Sequence, residues 1–168
     1  MPLLFSFGRD PSKNHTYCVQ DSKINGFLIY GPDHKDLMYI VTSKTATTRS
    51  EYKFRRAQDD VGLATLTRGQ IPNEYTITGS LDDILGKIKF TDKGIDLQIA
   101  EDKYHAIVQN RAQAIEFKDK SNKMVLTVDK KIISLKDQYH LTGSDDFPHL
   151  VAQVLAVAID DFYHHGVK

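Results

Sequence analysis

The sequence predicts a mainly β protein, a closed antiparallel barrel of about twelve strands enclosing a hydrophobic C-terminal α-helix. Three observations carry that prediction. Apolar residues recur with period two from Tyr17 to Val128. The segments between them are short and built of turn residues. A single run near the C-terminus, Leu150 to Ile159, is apolar on every side except at Gln153.

The strand readings follow in chain order. Tyr17 and Val19, Phe27 and Ile29, Met38 and Ile40, and Tyr52 and Phe54 alternate with mostly polar neighbours. Tyr75 and Ile77, Ile88 and Phe90, Ile95 with Leu97 and Ile99, and Tyr104 with Ala106 and Val108 continue the rhythm. Ile115 and Phe117, then Met124, Leu126 and Val128, complete it. Each set suits a strand with one buried face. Asn25-Gly26, Gly31-Pro32-Asp33, Arg68-Gly69, Ile71-Pro72-Asn73, Gly79-Ser80, Asp92-Lys93-Gly94 and Lys120-Ser121-Asn122 read as turns between them. Such spacing suits a meander and leaves no room for crossover helices.

The segment from about Pro148 to His164 reads as one helix. Asp145 or Asp146 is placed to cap it, Pro148 falls in the first turn, and Gly166 follows its end. A helix with no polar stripe must be surrounded. Crossing a bilayer takes roughly 20 apolar residues, and this run has about half that. The remaining way to surround it is a tube of strands, and about a dozen strands make a tube wide enough, whereas about eight leave room only for side chains.

Residues 1–168 are read as one domain, long enough for one substantial core. Lysine plus arginine and aspartate plus glutamate both number 22, so no global charge draws the chain to nucleic acid, and an anionic partner needs a local cluster. Cys18 is the single cysteine, which excludes an internal disulfide and a multi-cysteine metal site. The N-terminal residues lack the basic and apolar regions of a signal peptide, so a cytoplasmic location is expected, with a peripheral position on a membrane surface as its variant.

One block goes beyond rhythm. Asn122 to Gly143 runs through a strand, the basic pair Lys130-Lys131 and Ser134-Leu135-Lys136-Asp137-Gln138-Tyr139. It continues into Ser144-Asp145-Asp146-Phe147 and a helix closing on Ala158-Ile159-Asp160-Asp161-Phe162. This order resembles the closing signature of the tubby C-terminal-like superfamily, especially its LURP-one-related and phospholipid-scramblase-like branches. The resemblance implies a twelve-stranded barrel around a C-terminal helix. It implies phosphoinositide binding in the tubby-like members and lipid association in the scramblases. Two departures stand out. Ser144-Asp145-Asp146 offers too few oxygens for a calcium ion that wants six to eight. The proline-rich and cysteine-rich scramblase flanks are missing.

Arg49, Lys53, Arg55 and Arg56 form the densest basic cluster. On a strand Arg49, Lys53 and Arg55 share one face, opposite Tyr52, Phe54 and Arg56, and such a face can hold lipid phosphate. The plain alternative is a solvated strand protected by charge, with Asp59 and Asp60 blunting the local field. Lys118, Lys120 and Lys123, interleaved with Glu116 and Asp119, suit a hairpin tip in water. Asp160 and His164 lie one helical turn apart and with Asp161 and His165 could offer metal ligands. The alternative gives the histidines a favourable place at a helix C-terminus and Asp160 a backbone hydrogen bond at the barrel mouth. Asp82-Asp83 and Asp145-Asp146 suit turns and caps. No nucleophile elbow, phosphate loop, zinc motif or dinucleotide fingerprint occurs.

The expected function is a non-catalytic domain that binds an anionic phospholipid or phosphoinositide head group, or a protein partner, on the outside of its barrel, without metal or cofactor. Arg49, Lys53, Arg55 and Arg56 are the expected contacts. A carrier of a small apolar ligand in the lumen, or a scramblase-like lipid-associated protein, is the alternative.

Overall fold

A computed structural model describes residues 15–21, 26–32, 35–44, 49–108, 114–133, 136–144 and 146–165. Twelve strands make the wall: β1 (His15–Asp21), β2 (Gly26–Tyr30), β3 (Leu37–Lys44), β4 (Glu51–Arg56), β5 (Gly62–Arg68) and β6 (Glu74–Gly79), then β7 (Ile84–Phe90), β8 (Gly94–Ile99), β9 (Asp102–Ile107), β10 (Ile115–Lys118), β11 (Met124–Ile133) and β12 (Lys136–Gly143). Each pairs antiparallel with its chain neighbours, and β1 pairs with β12, which closes the barrel. The expected architecture is the observed one.

The helix α1 (His149–Asp160) fills the lumen. Every residue from Val151 to Asp160 is buried, and Val154 to Ala158 expose nothing. Around it the inward residues of the strands form one apolar cluster, including Phe27, Phe54, Leu66, Ile77, Phe90, Leu97, Phe117 and Leu141. The geometry follows from the sequence, since a helix without a polar face is stable only where apolar side chains meet it on all sides.

The structure corrects several details. Pro148 is itself the N-cap, with φ −62° and ψ 122° and no side-chain cap, while Asp146 is exposed and Asp145 lies outside the described residues. The α-helix stops at Asp160, and Asp161–His165 continue as a π-helical turn. Asn25, Asp33, Ser134, Leu135 and Gly166 lie outside the described residues as well.

The phase of two strands is the reverse of the reading. Thr16 and Cys18 are buried in β1, and Val19 is only half-buried. In β3, Val41 is buried while Met38 is exposed. Met124 is also exposed, whereas Leu126 and Val128 are buried as read and Val125 is buried beside them. Where apolar residues occupy both faces, period two does not select one.

Because strands alternate in direction, the β4–β5, β6–β7, β8–β9 and β10–β11 turns lie at the end where α1 enters. Each contains one residue with positive φ: Asp60, Asp82, Ala100 and Asn122. Aspartate and asparagine tolerate that region better than other side-chain-bearing residues.

Candidate functional site: a lysine groove on the outer wall

The registers of β6 to β9 set outward side chains in two rows. Thr76, Lys87, Gln98 and Lys103 make one, and Glu74, Lys89, Asp96 and His105 make the other. Inward neighbours Tyr75, Ile88, Leu97 and Ala106 fix that phase by being buried. The β5–β6 turn, with Ile71 59% exposed, overhangs one side, and Lys120 closes the other. Together they enclose a groove of about 730 Å³, within the range of about 300–1,000 Å³ typical of small-ligand sites.

The two rows differ electrostatically. Lys89 stands between Glu74 and Asp96, and such cross-strand neighbours offset one another. Lys87 and Lys103 flank the neutral Gln98, about 10 Å apart by two strand spacings. Lys87, Lys103 and Lys120 carry no ion pair within 4 Å among the described residues. Four lysines against Glu74 and Asp96 leave an excess of two positive charges. Chemically the groove can hold a compact anion by charge-assisted hydrogen bonds while the exposed Ile71 offers apolar contact.

The basic cluster expected on β4 is placed differently. Lys53 and Arg49 are exposed. Arg55 pairs with Asp60, and Arg56 pairs with Asp59 at 2.9 Å. The hydrogen bond from Arg56 holds the Asp59 carboxyl below its usual range. Arg56 was expected on the inner face beside Phe54 but is exposed, at the last position of β4, where it reaches Asp59 in the turn. None of the four lines the groove.

A second polar cluster is sealed inside the barrel. Asp161 accepts hydrogen bonds from the hydroxyls of Tyr52 at 2.8 Å and Tyr75 at 2.5 Å. The Arg68 guanidinium lies 3.7 Å from the same carboxylate and over the rings of Tyr75 and Phe162. Asp160 accepts a hydrogen bond from the Tyr139 hydroxyl at 2.7 Å. The π-helical turn sets Phe162 flat against Phe90, with centroids 4.2 Å apart. Asp160 and Asp161 are 0% and 2% exposed, so this cluster fastens the helix to β4, β5, β6 and β12 and is closed to substrate. Burial, then the charge of Asp160, pushes the Cys18 thiol up, which keeps it protonated and unreactive. Among the described residues no group of three or more His, Cys, Asp or Glu could hold a metal, and the His164 and His165 side chains lie outside them.

Sequence reading missed β5, β12 and the groove. Ala64 and Leu66 do alternate with threonines, so β5 had a signal, but Arg68 read as a turn residue. Lys87 and Lys89 share a face at period two, yet only the strand register brings Lys103 beside them.

No protein-family model and no curated protein matches this chain. The chain is similar in structure to a protein of Arabidopsis thaliana solved by X-ray crystallography, with a TM-score of 0.67 and 16% sequence identity. The match covers 91% of this chain and 96% of that one. At that identity the likeness shows a shared fold. Among the described residues no helix is long and apolar enough to cross a membrane.

Proposed function

We propose that the chain is a non-catalytic binding domain of the tubby-like, LURP-one-related kind, which holds the anionic head group of a phospholipid in the lysine groove of its outer wall. The observation that carries this reading is the row Lys87–Gln98–Lys103, two ammonium groups without ion-pair partners among the described residues, flanking a neutral amide in a groove of ligand size. A lumen occupied by α1 argues against a carrier of small apolar ligands, because Val154 to Ala158 already meet the wall on every side. A scramblase-like role is less favoured, because Ser144-Asp145-Asp146 lacks the oxygens of a calcium site. The sealed state of the Asp160–Asp161 cluster supports a binding role over catalysis. On this reading the protein works in the cytoplasm at a membrane surface, and Arg49 and Lys53 on β4 serve at most as secondary contacts.

Liposome flotation tests the proposal. Vesicles containing phosphoinositide should carry the protein upward at low ionic strength, and neutral vesicles should not. Lys87→Gln with Lys103→Gln should abolish flotation, while Arg49→Gln with Lys53→Gln should weaken it little. Residual binding should fall steeply with salt, since exposed charges are screened beyond about 8–10 Å at physiological ionic strength. A protein that ignores phosphoinositide vesicles at low salt contradicts the proposal. Flotation lost only in the β4 variant moves the site to β4.

A further inference from the structure

The barrel is closed, yet one junction in its wall is barely laddered. β8 and β9 pair along all of β9. Between β9 and β10, Lys118 opposite His105 is the single pairing among the described residues. β10 shifts register between Phe117 and Lys118. The chain then turns at Asp119, whose carboxylate accepts hydrogen bonds from the Ser121 and Lys123 amides at 2.9 and 3.0 Å. Continuing the ladder would have set Asp119, Lys120 and Ser121 opposite Tyr104, Lys103 and Asp102. These two segments instead form the walls of a cleft of about 400 Å³.

The floor of the cleft is apolar. Val125 and Phe147 are buried there, and the Tyr104 ring meets Phe147 edge to face with centroids 5.2 Å apart. Alternate residues of an antiparallel strand direct N–H and C=O to the same side. Part of the Asp102–Tyr104 backbone therefore points into the cleft, where no strand among the described residues answers it. Such an edge is a template for another extended chain.

We propose that this cleft binds an extended peptide by strand addition to β9, with an acidic side chain of the peptide on Lys103 and Lys120. Backbone recognises backbone, so the open edge selects a peptide over a sugar or a lipid. Three residues of edge span about 10 Å, which fits a core of about three or four peptide residues. Lys103, Lys120 and Lys123 line the cleft without ion-pair partners among the described residues, while the Asp119 carboxylate is engaged by its own turn. Asp102, Asp119 and Asp146 also line it and match the three lysines in number, and Lys103 with Lys120 forms the basic side, continuous with the lysine groove. That side is where the acidic side chain belongs.

The proposal does not rest on the head-group reading, and amide hydrogen exchange on the full chain separates them. The Asp102–Tyr104 amides that are not bonded to β8 should exchange on the order of tenfold faster than the β8 amides. The probe is acetyl-Thr-Val-Glu-Val-Thr-amide, an extended, β-branched peptide with one carboxylate. At millimolar concentration it should protect those amides, and its N-methylated counterpart should not. Ser144→Trp, placed to fill the cleft, should remove the protection, and Lys87→Gln with Lys89→Gln should leave it intact. Edge amides that already exchange as slowly as those of β8 overturn the proposal. So does equal protection by the N-methylated peptide, or none from either peptide.

Discussion

Tyr52, Tyr75 and Tyr139 reach from three strands to two adjacent carboxylates at the end of a helix, and those few bonds decide how the helix sits. A hydrogen bond to a charged group contributes about 1.5–3 kcal/mol, so Tyr75→Phe should lower unfolding free energy by about that much. Asp161→Ala should cost more, about 3–5 kcal/mol, because it removes the acceptor of two buried phenols and the carboxylate beside the buried Arg68 guanidinium. Urea denaturation of the purified variants measures both. Burial, then the neighbouring Asp161 carboxylate, pushes the Tyr52 and Tyr75 phenols well above their ordinary value. The folded state therefore favours the neutral phenol. Its contribution is complete below about pH 10, where unfolded tyrosines begin to ionise, and is lost as the pH rises further. Stability should fall above about pH 10, and the Tyr52→Phe, Tyr75→Phe double variant should flatten that slope. An unchanged slope would place the alkaline titration elsewhere.

Gln153 is the opposite case. Among the described residues neither end of its amide has a hydrogen-bond partner, and the residue is 0% exposed. Burying an unsatisfied amide costs about 1–3 kcal/mol, so Gln153→Leu should raise the denaturation midpoint. The sequence marked Gln153 as the one polar residue of the apolar run. It marked Asp160 as a polar group at the mouth, and a hydroxyl from the wall, that of Tyr139, bonds to it. Sequence spacing places a residue along its own element and says nothing of which hydroxyl arrives from another.

At the scale of elements, α1 supplies the centre that the twelve strands need. Leu155 is fully enclosed, and Leu155→Ala should cost about 2–5 kcal/mol. A chain ending after Phe147 should be insoluble, and a soluble, cooperatively unfolding truncation would show that the helix is peripheral. Gly94 opens β8 where a Cβ would stand 1.8 Å from the Ala106 carbonyl oxygen. Gly94→Ala should cost about 3 kcal/mol, read as a shift in melting temperature. Element type was legible because the helix is apolar all round and most strands alternate cleanly, as Tyr75 to Ile77 and Ile115 to Phe117 do. β5 escaped because Thr65 and Thr67 suit either a turn or a strand. β1 and β3 were misphased because Leu37 to Val41 and Tyr17 to Val19 carry bulky residues on both faces.

For the whole molecule, the balance of 22 basic and 22 acidic residues conceals a local excess. The groove exists only once β7 and β9 are placed on either side of β8, which single-strand patterns do not encode. The β4 cluster, conspicuous in sequence, is largely offset by Asp59 and Asp60 five residues or fewer away. Exposed charges contribute little to folding, so Lys87→Gln with Lys103→Gln should leave the melting temperature nearly unchanged. The most direct test of the outer-wall reading is an amide chemical-shift titration with a soluble inositol trisphosphate at low salt. The account predicts shifts concentrated at Lys87, Lys89, Gln98 and Lys103, absent in the double lysine variant. Shifts confined to β4, or spread through α1 and the inward residues of the wall, would contradict it.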